Sequence, residues 1–152
     1  MPKVERFEDL LCWQKARELV KIIYTMTKED SFFRDYRFKE QLQSASVSVM
    51  SNIAEGFSRF HRKEFIRFLD FSQSSASEVK SLLYVAIDQN YLPSDQITHI
   101  QQIVDDTRQL VLGLLRYLKS NIKDSQDGVR ETLSHYDAKE STELILPEKF
   151  LK

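Results

Sequence analysis

The chain has 152 residues, with 22 basic and 23 acidic side chains and a net charge of −1. This length suits one domain, which buries roughly two-thirds of its unfolded surface and needs no disulfide or metal to hold a core. The balanced charge disfavours a dedicated nucleic-acid binder, which usually carries a basic excess, but it leaves room for a local basic patch. Glycine and proline, three of each, are scarce. Sheets and barrels use them in turns, so the composition favours long helices.

The cysteine content and the hydropathy limit the cellular compartments in which the protein is expected. Cys12 is the single cysteine and has no partner for an internal disulfide, which suits a reducing compartment. The first ten residues lack the apolar region of a secretory signal. No apolar run approaches the roughly 18 residues that a membrane span requires. We therefore expect a cytoplasmic protein that does not insert into a membrane.

The first predicted helix runs from about Phe7 to Thr27. One face carries apolar residues at steps of three and four: Cys12, Ala16, Leu19, Ile23 and Met26. A second set widens this face: Trp13, Val20 and Tyr24. The apolar arc is therefore broader than one core stripe.

The second predicted helix begins near Arg34 and ends near Gly56, after a break at residues 28–31. Its stripe comprises Phe38, Leu42, Ala45, Val49 and Ile53. Residues 44–49 also alternate like a strand, but the helical stripe continues on both sides and a lone strand would have no partner. Gly56 is predicted to stop the helix, because glycine adopts left-handed backbone angles without steric cost.

The third predicted helix spans about Arg62 to Gln89. Its core side carries Phe65, Phe68, Ser72, Ala76, Val79, Leu83 and Ala86. The fourth helix follows Pro93, with Ser94 as a side-chain cap and Asp95 near the positive end of the helix dipole. It carries a core row (Ile97, Ile100, Val104, Thr107, Val111, Leu114 and Leu118) and a flanking row (Ile103, Leu110 and Tyr117).

Long helices joined by short loops run antiparallel to their neighbours. The sequence therefore predicts an all-α fold, an up-down-up-down antiparallel four-helix bundle over residues 1–120. Residues 121–152 form a C-terminal tail in which Asp124, Ser125, Asp127 and Gly128 break the helical pattern. The apolar run at residues 144–146 would allow this tail to dock on the bundle as a strap.

The most distinctive stretch is Ser-Asn-Ile-Ala-Glu-Gly-Phe-Ser-Arg at residues 51–59. Asn52 and Glu55 are three residues apart, and Glu55 and Arg59 are four apart, so each pair shares a helix face. One interpretation is that Asn52, Glu55, Gly56 and Arg59 form a polar clasp that fixes the turn between the second and third helices. The alternative is a ligand or partner site.

These residues resemble the 23S rRNA intervening-sequence proteins, a four-helix-bundle family whose relatives include the accessory variability determinant of diversity-generating retroelements. The other matching pieces are Phe7-Glu8-Asp9-Leu10, Trp13-Gln14-Lys15-Ala16, Gln41-Leu42, Glu64-Phe65, Phe68-Leu69 and Ser77-Glu78. The resemblance covers roughly residues 6–119. It implies a homopentameric ring of bundles and, for the retroelement branch, binding to RNA and a reverse transcriptase.

The surplus apolar surface agrees with such an assembly. A lone bundle needs about one apolar stripe per helix, whereas the first helix has a wide arc and the fourth has two rows. A wide core within a monomer is the alternative.

A basic cluster supplies the best nucleic-acid candidate: Arg59, Arg62, Lys63 and Arg67, with His61 among them. Phe57, Phe60 and Phe65 are interleaved, and Glu64 leaves a local charge of +3. Repeated around a ring, this patch would attract phosphates. The alternative interpretation is that the phenylalanines lie in the core and the charged side chains lie on a solvated face.

Catalytic signals are weak. Arg130 and His135 fit the Arg-x4-His spacing of nucleases of the helical HEPN family, but this spacing also arises by chance and falls in the tail. His99 is expected to face solvent and Cys12 to lie in the core. No zinc-ligand spacing or phosphate-binding glycine loop is present, so we expect no metal and no cofactor. Three hypotheses follow: a non-enzymatic scaffold that engages RNA or an RNA-handling protein, a metal-independent ribonuclease, and a purely structural self-associating module.

Overall fold

The computed structural model describes residues 3–120 together with Val129, Leu133 and Tyr136; for Phe33 only the backbone is described. A short 3-10 turn at Phe7–Asp9 precedes α1 (Leu11–Met26). The four-residue α2 (Asp30–Phe33) separates α1 from α3 (Tyr36–Ser58). Two further helices follow, α4 (Arg62–Asp88) and α5 (Ser94–Ser120). Residues 3–120 contain no β-strand, so the all-α prediction is confirmed.

The four long helices close around one core. Helix α3 packs against α1 and α4, and α5 packs against α4 and α1. Because short connections join α3 to α4 and α4 to α5, consecutive helices run in opposite directions, as in the predicted bundle. Every predicted core stripe supplies fully buried side chains; those of largest volume include Leu19, Ile23, Leu42, Ile53, Phe65, Leu83, Ile97, Leu114 and Leu118.

The first helix begins later than predicted. It starts at Leu11 rather than near Phe7, because residues 7–9 form a separate turn. The Asp9 carboxylate accepts hydrogen bonds from the backbone N–H groups of Glu5 (3.0 Å) and Arg6 (3.1 Å), which lower the pKa of Asp9. Leu10 follows in an extended conformation and separates the turn from α1.

The predicted role of Gly56 is wrong. Helix α3 continues through it to Ser58, and the described glycines have no positive φ. A Cβ atom at Gly56 would lie 2.6 Å from Phe68 Cβ and 3.0 Å from Phe65 Cδ2. Gly56 therefore allows α3 and α4 to approach closely, and the left-handed residue of the turn is Phe60, with φ of 63°.

Two smaller predictions also need correction. The Pro93 carbonyl accepts hydrogen bonds from Gln96 (3.1 Å) and Ile97 (3.3 Å), which makes Ser94 the first residue of α5 rather than its cap. Phe68, assigned to the core side of α4, is only partly buried, whereas Leu69 is fully buried. The close approach at Gly56 places Phe68 at the edge of the α3–α4 interface.

Candidate interaction surfaces

The basic cluster at the α3–α4 turn is only partly exposed. Arg62 is only 8% exposed, so its charge is withdrawn from the patch that the sequence predicted. Phe57 and Phe65 are buried, with ring centroids 5.9 Å apart in an edge-to-face arrangement. Lys63 is exposed. The alternative in which phenylalanines fill the core therefore holds for these two rings, while Phe60 lies at the surface.

Arg59 and Arg67 each lie over a phenylalanine ring. The Arg59 guanidinium carbon is 5.2 Å from the ring centroid of Phe68, and that of Arg67 is 5.4 Å from the ring of Phe71. Both guanidinium groups also meet carboxylates: Arg59 Nη2 lies 3.2 Å from Glu55 Oε1, and Arg67 Nη1 lies 3.7 Å from a Glu64 oxygen. Because these pairs are largely exposed, each contributes little to stability.

The four side chains form a continuous row. Phe68 and Phe71 meet edge to face with centroids 5.8 Å apart, so the order along the surface is Arg59, Phe68, Phe71 and Arg67. We call this the arginine–phenylalanine row. Phe71 is 43% exposed and had no place in the sequence-based site, although its i,i+4 spacing from Arg67 was a usable signal. Such a row presents cations and π-faces, which suit planar bases and phosphates.

The polar residues of the 51–59 stretch make their contacts at two separate places. Asn52 Nδ2 donates to the Ser48 carbonyl (2.8 Å) and to Ser48 Oγ (3.0 Å). The Ser48 hydroxyl lies 2.9 Å from that of Ser75, which joins α3 to α4 midway along the bundle. Glu55 and Arg59 form their own pair near the turn. The hydrogen bonds of Asn52 and the Glu55–Arg59 pair thus lie at two separate places on α3.

A second surface lies on the outward sides of α1 and α3. We call it the α1–α3 face. It is lined by the apolar Tyr24, Tyr36 and Val47 and the polar Lys39, Glu40, Gln43 and Ser44, whereas Trp13 and Met50 pack against the core. Tyr36 is 67% exposed and Tyr24 is 42% exposed, and both line an open groove with Val47. Trp13 is partly buried, with the Phe7 ring 5.1 Å away and the Arg17 guanidinium 5.8 Å from its centroid. The broad arc predicted for the first helix is therefore only partly used by the core.

The structure places Cys12 in the core and His99 at the surface. Burial raises the pKa of the Cys12 thiol to about 12, which agrees with the predicted core position, and His99 is exposed as expected. Arg130 and His135 lie outside the described residues. Among the residues that the structure describes, no group of three or more His, Cys, Asp or Glu side chains is placed to hold a metal ion. Within the same residues, no helix combines the length and the hydropathy of a membrane span.

Comparison with known proteins identifies the family. The family model of the 23S rRNA-intervening sequence proteins matches residues 8–113. The chain belongs to this family. A solved structure with the same fold is a protein of unknown function from the S23 ribosomal protein family of Bacteroides thetaiotaomicron, with a TM-score of 0.65 and 20% sequence identity; the match covers 70% of this chain and 96% of that chain. No curated protein matches the sequence significantly. Neither the family nor this neighbour points to an enzymatic family.

Proposed function

We propose that the protein is a non-enzymatic interaction protein whose copies associate through the α1–α3 face. The observation that carries this proposal is the apolar surface left on α1 and α3 after their other sides have closed the core. Tyrosine and tryptophan at such positions favour protein interfaces, because each offers a large apolar ring and a polar group that tolerates water.

The number of copies follows from family resemblance. We propose a closed ring of five bundles, which the resemblance to the accessory variability determinant of diversity-generating retroelements implies. A ring uses a heterologous contact that closes on itself, so each bundle needs an apolar face and a complementary surface on the next copy. The reducing environment that suits Cys12 supports a cytoplasmic location for this assembly.

Size-exclusion chromatography with light scattering tests the association. The wild-type protein should elute with the mass of several chains, with five as the expected number. Tyr24→Asp places a charge in the α1–α3 face and should reduce the mass toward that of one chain. Ser81→Asp, which adds the same charge at an exposed position of α4, should leave the mass unchanged. A wild-type monomer at all concentrations would contradict the proposal.

We also propose that the arginine–phenylalanine row binds single-stranded RNA, either alone or together with an RNA-handling protein. Arg59 pairs with Glu55 and Arg67 with Glu64, while Lys63 is exposed. Three cations against two carboxylates leave a local charge of +1, which is smaller than the +3 that the sequence predicted. Base stacking on Phe71 then contributes alongside phosphate attraction. Arg62, the fourth predicted residue, is 8% exposed, so it is not expected to meet the phosphates.

Fluorescence anisotropy with a labelled single-stranded RNA at several salt concentrations tests this second proposal. Replacing Arg59, Lys63 and Arg67 with alanine should weaken binding and reduce the salt slope by roughly 2, because up to three phosphate contacts are lost. Phe71→Ala should weaken binding by about 1–3 kcal/mol, with little change in the slope.

The matched control is Lys28→Ala, which removes an exposed cation near α2, at the other end of the bundle. It should leave RNA binding unaltered. If the triple variant and Phe71→Ala bind RNA like the wild type, the row is not an RNA site.

A further inference from the structure

A small cavity lies between the 3-10 turn at Phe7–Asp9 and the end of α3. Its volume is about 160 Å³. Cavities for ligands of drug size measure roughly 300–1,000 Å³, so this one suits a single planar ring system rather than a whole nucleotide. We call it the turn pocket, and it is lined by Arg6, Phe7, Glu8, Phe57, Ser58 and Phe60.

Two walls of the turn pocket are fixed by packing within the protein. The Phe7 ring meets Trp13 edge to face, with ring centroids 5.1 Å apart. The Phe57 ring meets Phe65 in the same way at 5.9 Å. The apolar surface of these walls is therefore preformed, which reduces the entropy lost when a flat ligand binds.

The third wall, Phe60, is exposed on a strained backbone. Its φ is 63°, in the left-handed region that glycine occupies without cost and a bulky residue rarely adopts. The residue is 66% exposed, although its carbonyl accepts a hydrogen bond from the Val129 N–H (3.4 Å). Such an exposed ring contributes little to the core, and backbone strain of this kind is concentrated at functional sites. The ring can therefore stack on a ligand in the turn pocket.

The turn pocket also contains one anionic and one cationic side chain. Glu8 is partly buried, and Gln14 Nε2 donates to its backbone carbonyl (2.9 Å), but no hydrogen bond or ion pair engages its carboxylate within the described residues. Arg6 is exposed, and its Nε lies 3.5 Å from an Asp9 oxygen. An ionised carboxylate only accepts hydrogen bonds, and a guanidinium only donates them. A ligand that satisfies both must carry a donor edge and an acceptor edge.

Guanine is the nucleobase that carries these two edges. Its N1–H and N2–H groups together match a carboxylate, and its O6 and N7 atoms accept from an arginine. Adenine, cytosine and uracil each offer only one nitrogen that can donate on the corresponding edge. The chemistry of Glu8 and Arg6 therefore favours guanine over the other three bases.

We propose that the turn pocket binds a guanine base of the single-stranded RNA that the arginine–phenylalanine row holds, with Phe60 stacked on the base. Arg59 of the row and Phe60 of the pocket are consecutive, so their Cα atoms lie about 3.8 Å apart and one strand reaches both sites. This inference rests on the proposed RNA binding and adds a base preference to it.

Fluorescence anisotropy with labelled single-stranded hexamers tests the preference. Hexauridine should bind through the row, and the same oligomer with one central guanine should bind about tenfold more tightly, as expected for a good two-point contact to a base. A central adenine should bring a smaller gain, because it stacks but does not match Glu8. Equal affinities of the guanine oligomer and of either other oligomer would overturn this inference and leave the proposed RNA binding intact. If no oligomer binds, both fail.

Two variants separate the contributions within the turn pocket. Glu8→Gln keeps the shape of the side chain but replaces one acceptor oxygen with a donor, so the guanine preference should fall from about tenfold to about twofold, with hexauridine binding unchanged. Phe60→Gly removes the ring at a position where glycine is unstrained, so this variant should fold as well as the wild type. It should bind the guanine oligomer about tenfold more weakly and hexauridine with a smaller loss.

Glu78→Gln and Tyr84→Ala are the matched controls, because they make comparable changes at exposed positions in the second half of α4. Both should keep the wild-type affinities for the guanine oligomer and for hexauridine. A Glu8→Gln protein that retains the full guanine preference, or a Phe60→Gly protein that binds the guanine oligomer like the wild type, would overturn the inference.

Discussion

Close packing at Gly56 requires the absence of a side chain. A methyl group there would meet Phe68 Cβ, which is fixed to the α4 backbone and cannot rotate away. Alanine favours a helix over glycine by about 1 kcal/mol, but the forced separation of two packed helices costs more. We expect Gly56→Ala to lower the free energy of unfolding by about 1–2 kcal/mol in urea titrations. Ser51→Ala, on the exposed side of α3, is the control, and a Gly56→Ala protein as stable as the wild type would refute the packing role.

Cys12 should make the stability of the protein depend on alkaline pH. Burial raises the pKa of its thiol from 9.0 to about 12. Above pH 9 the unfolded chain loses this proton while the folded chain keeps it, so stability is intact below pH 9 and declines between about pH 9 and 12. At about pH 10.5 the wild type should have lost about 2 kcal/mol that Cys12→Ala does not lose. Urea titrations of both proteins at pH 7 and at this higher pH measure the difference, and parallel curves would contradict it.

The sequence alone does not distinguish the buried arginine of the basic cluster from the exposed ones. Arg59, Arg62 and Arg67 are equivalent in composition and all lie within nine positions, yet Arg62 is buried and the other two lie over phenylalanine rings. Which side of α4 faces α3 decides this difference. The sequence pattern located the cluster but not its exposed members.

At the scale of the element, the start of α3 depends on contacts from a distant loop. The Asp35 carboxylate accepts from the Phe38 N–H (3.3 Å) as an N-cap and from the Tyr91 hydroxyl (2.5 Å). The Ser31 hydroxyl donates to the Tyr91 carbonyl, and the Tyr91 ring packs on Phe32 at 5.0 Å. The loop between α4 and α5 therefore helps to determine where α3 begins.

Removing the Asp35 carboxylate should destabilise the protein more than removing its partner hydroxyl. Asp35→Ala loses the cap and the tyrosine hydrogen bond, and we expect at least about 1 kcal/mol from the cap alone. Tyr91→Phe keeps the ring and the cap and should give a smaller loss. Thermal midpoints by circular dichroism measure both, with Asp106→Ala at an exposed position inside α5 as the comparison. Equal midpoints for Asp35→Ala and the wild type would show that the cap is unimportant.

Helix interiors and both ends of α4 were predicted well, whereas the beginnings of α1 and α5 and the end of α3 were not. Apolar periodicity predicted α1, α3, α4 and α5 because each helix must bury one face. The beginnings of α1 and α5 depend on hydrogen bonds accepted by the Asp9 carboxylate and by the Pro93 carbonyl, two in each case, which periodicity does not report. The extent of α3 beyond Gly56 depends on packing against α4. The sequence therefore misses boundaries wherever a contact from outside the helix decides them.

At the scale of the whole molecule, self-association should appear in thermal unfolding. If folded copies associate and unfolded chains do not, the thermal midpoint rises with protein concentration by mass action. We expect about 2–4 °C for each tenfold increase in the wild type and no dependence for Tyr24→Asp. Scanning calorimetry or circular dichroism over a hundredfold range measures this. A wild-type midpoint independent of concentration would argue against association.

The sequence by itself determined the all-α architecture, the four long helices, most of the core and the family. These features depend on local periodicity and on short motifs, which are legible along the chain. Only the tertiary structure decided the rest: the burial of Arg62, the arginine–phenylalanine row, the close contact at Gly56 and the placement of Val129, Leu133 and Tyr136 on the core. Each depends on how one helix is rotated against another or on a contact between distant segments. That information lies in the packing of the whole chain, because several rotations satisfy the same apolar stripe.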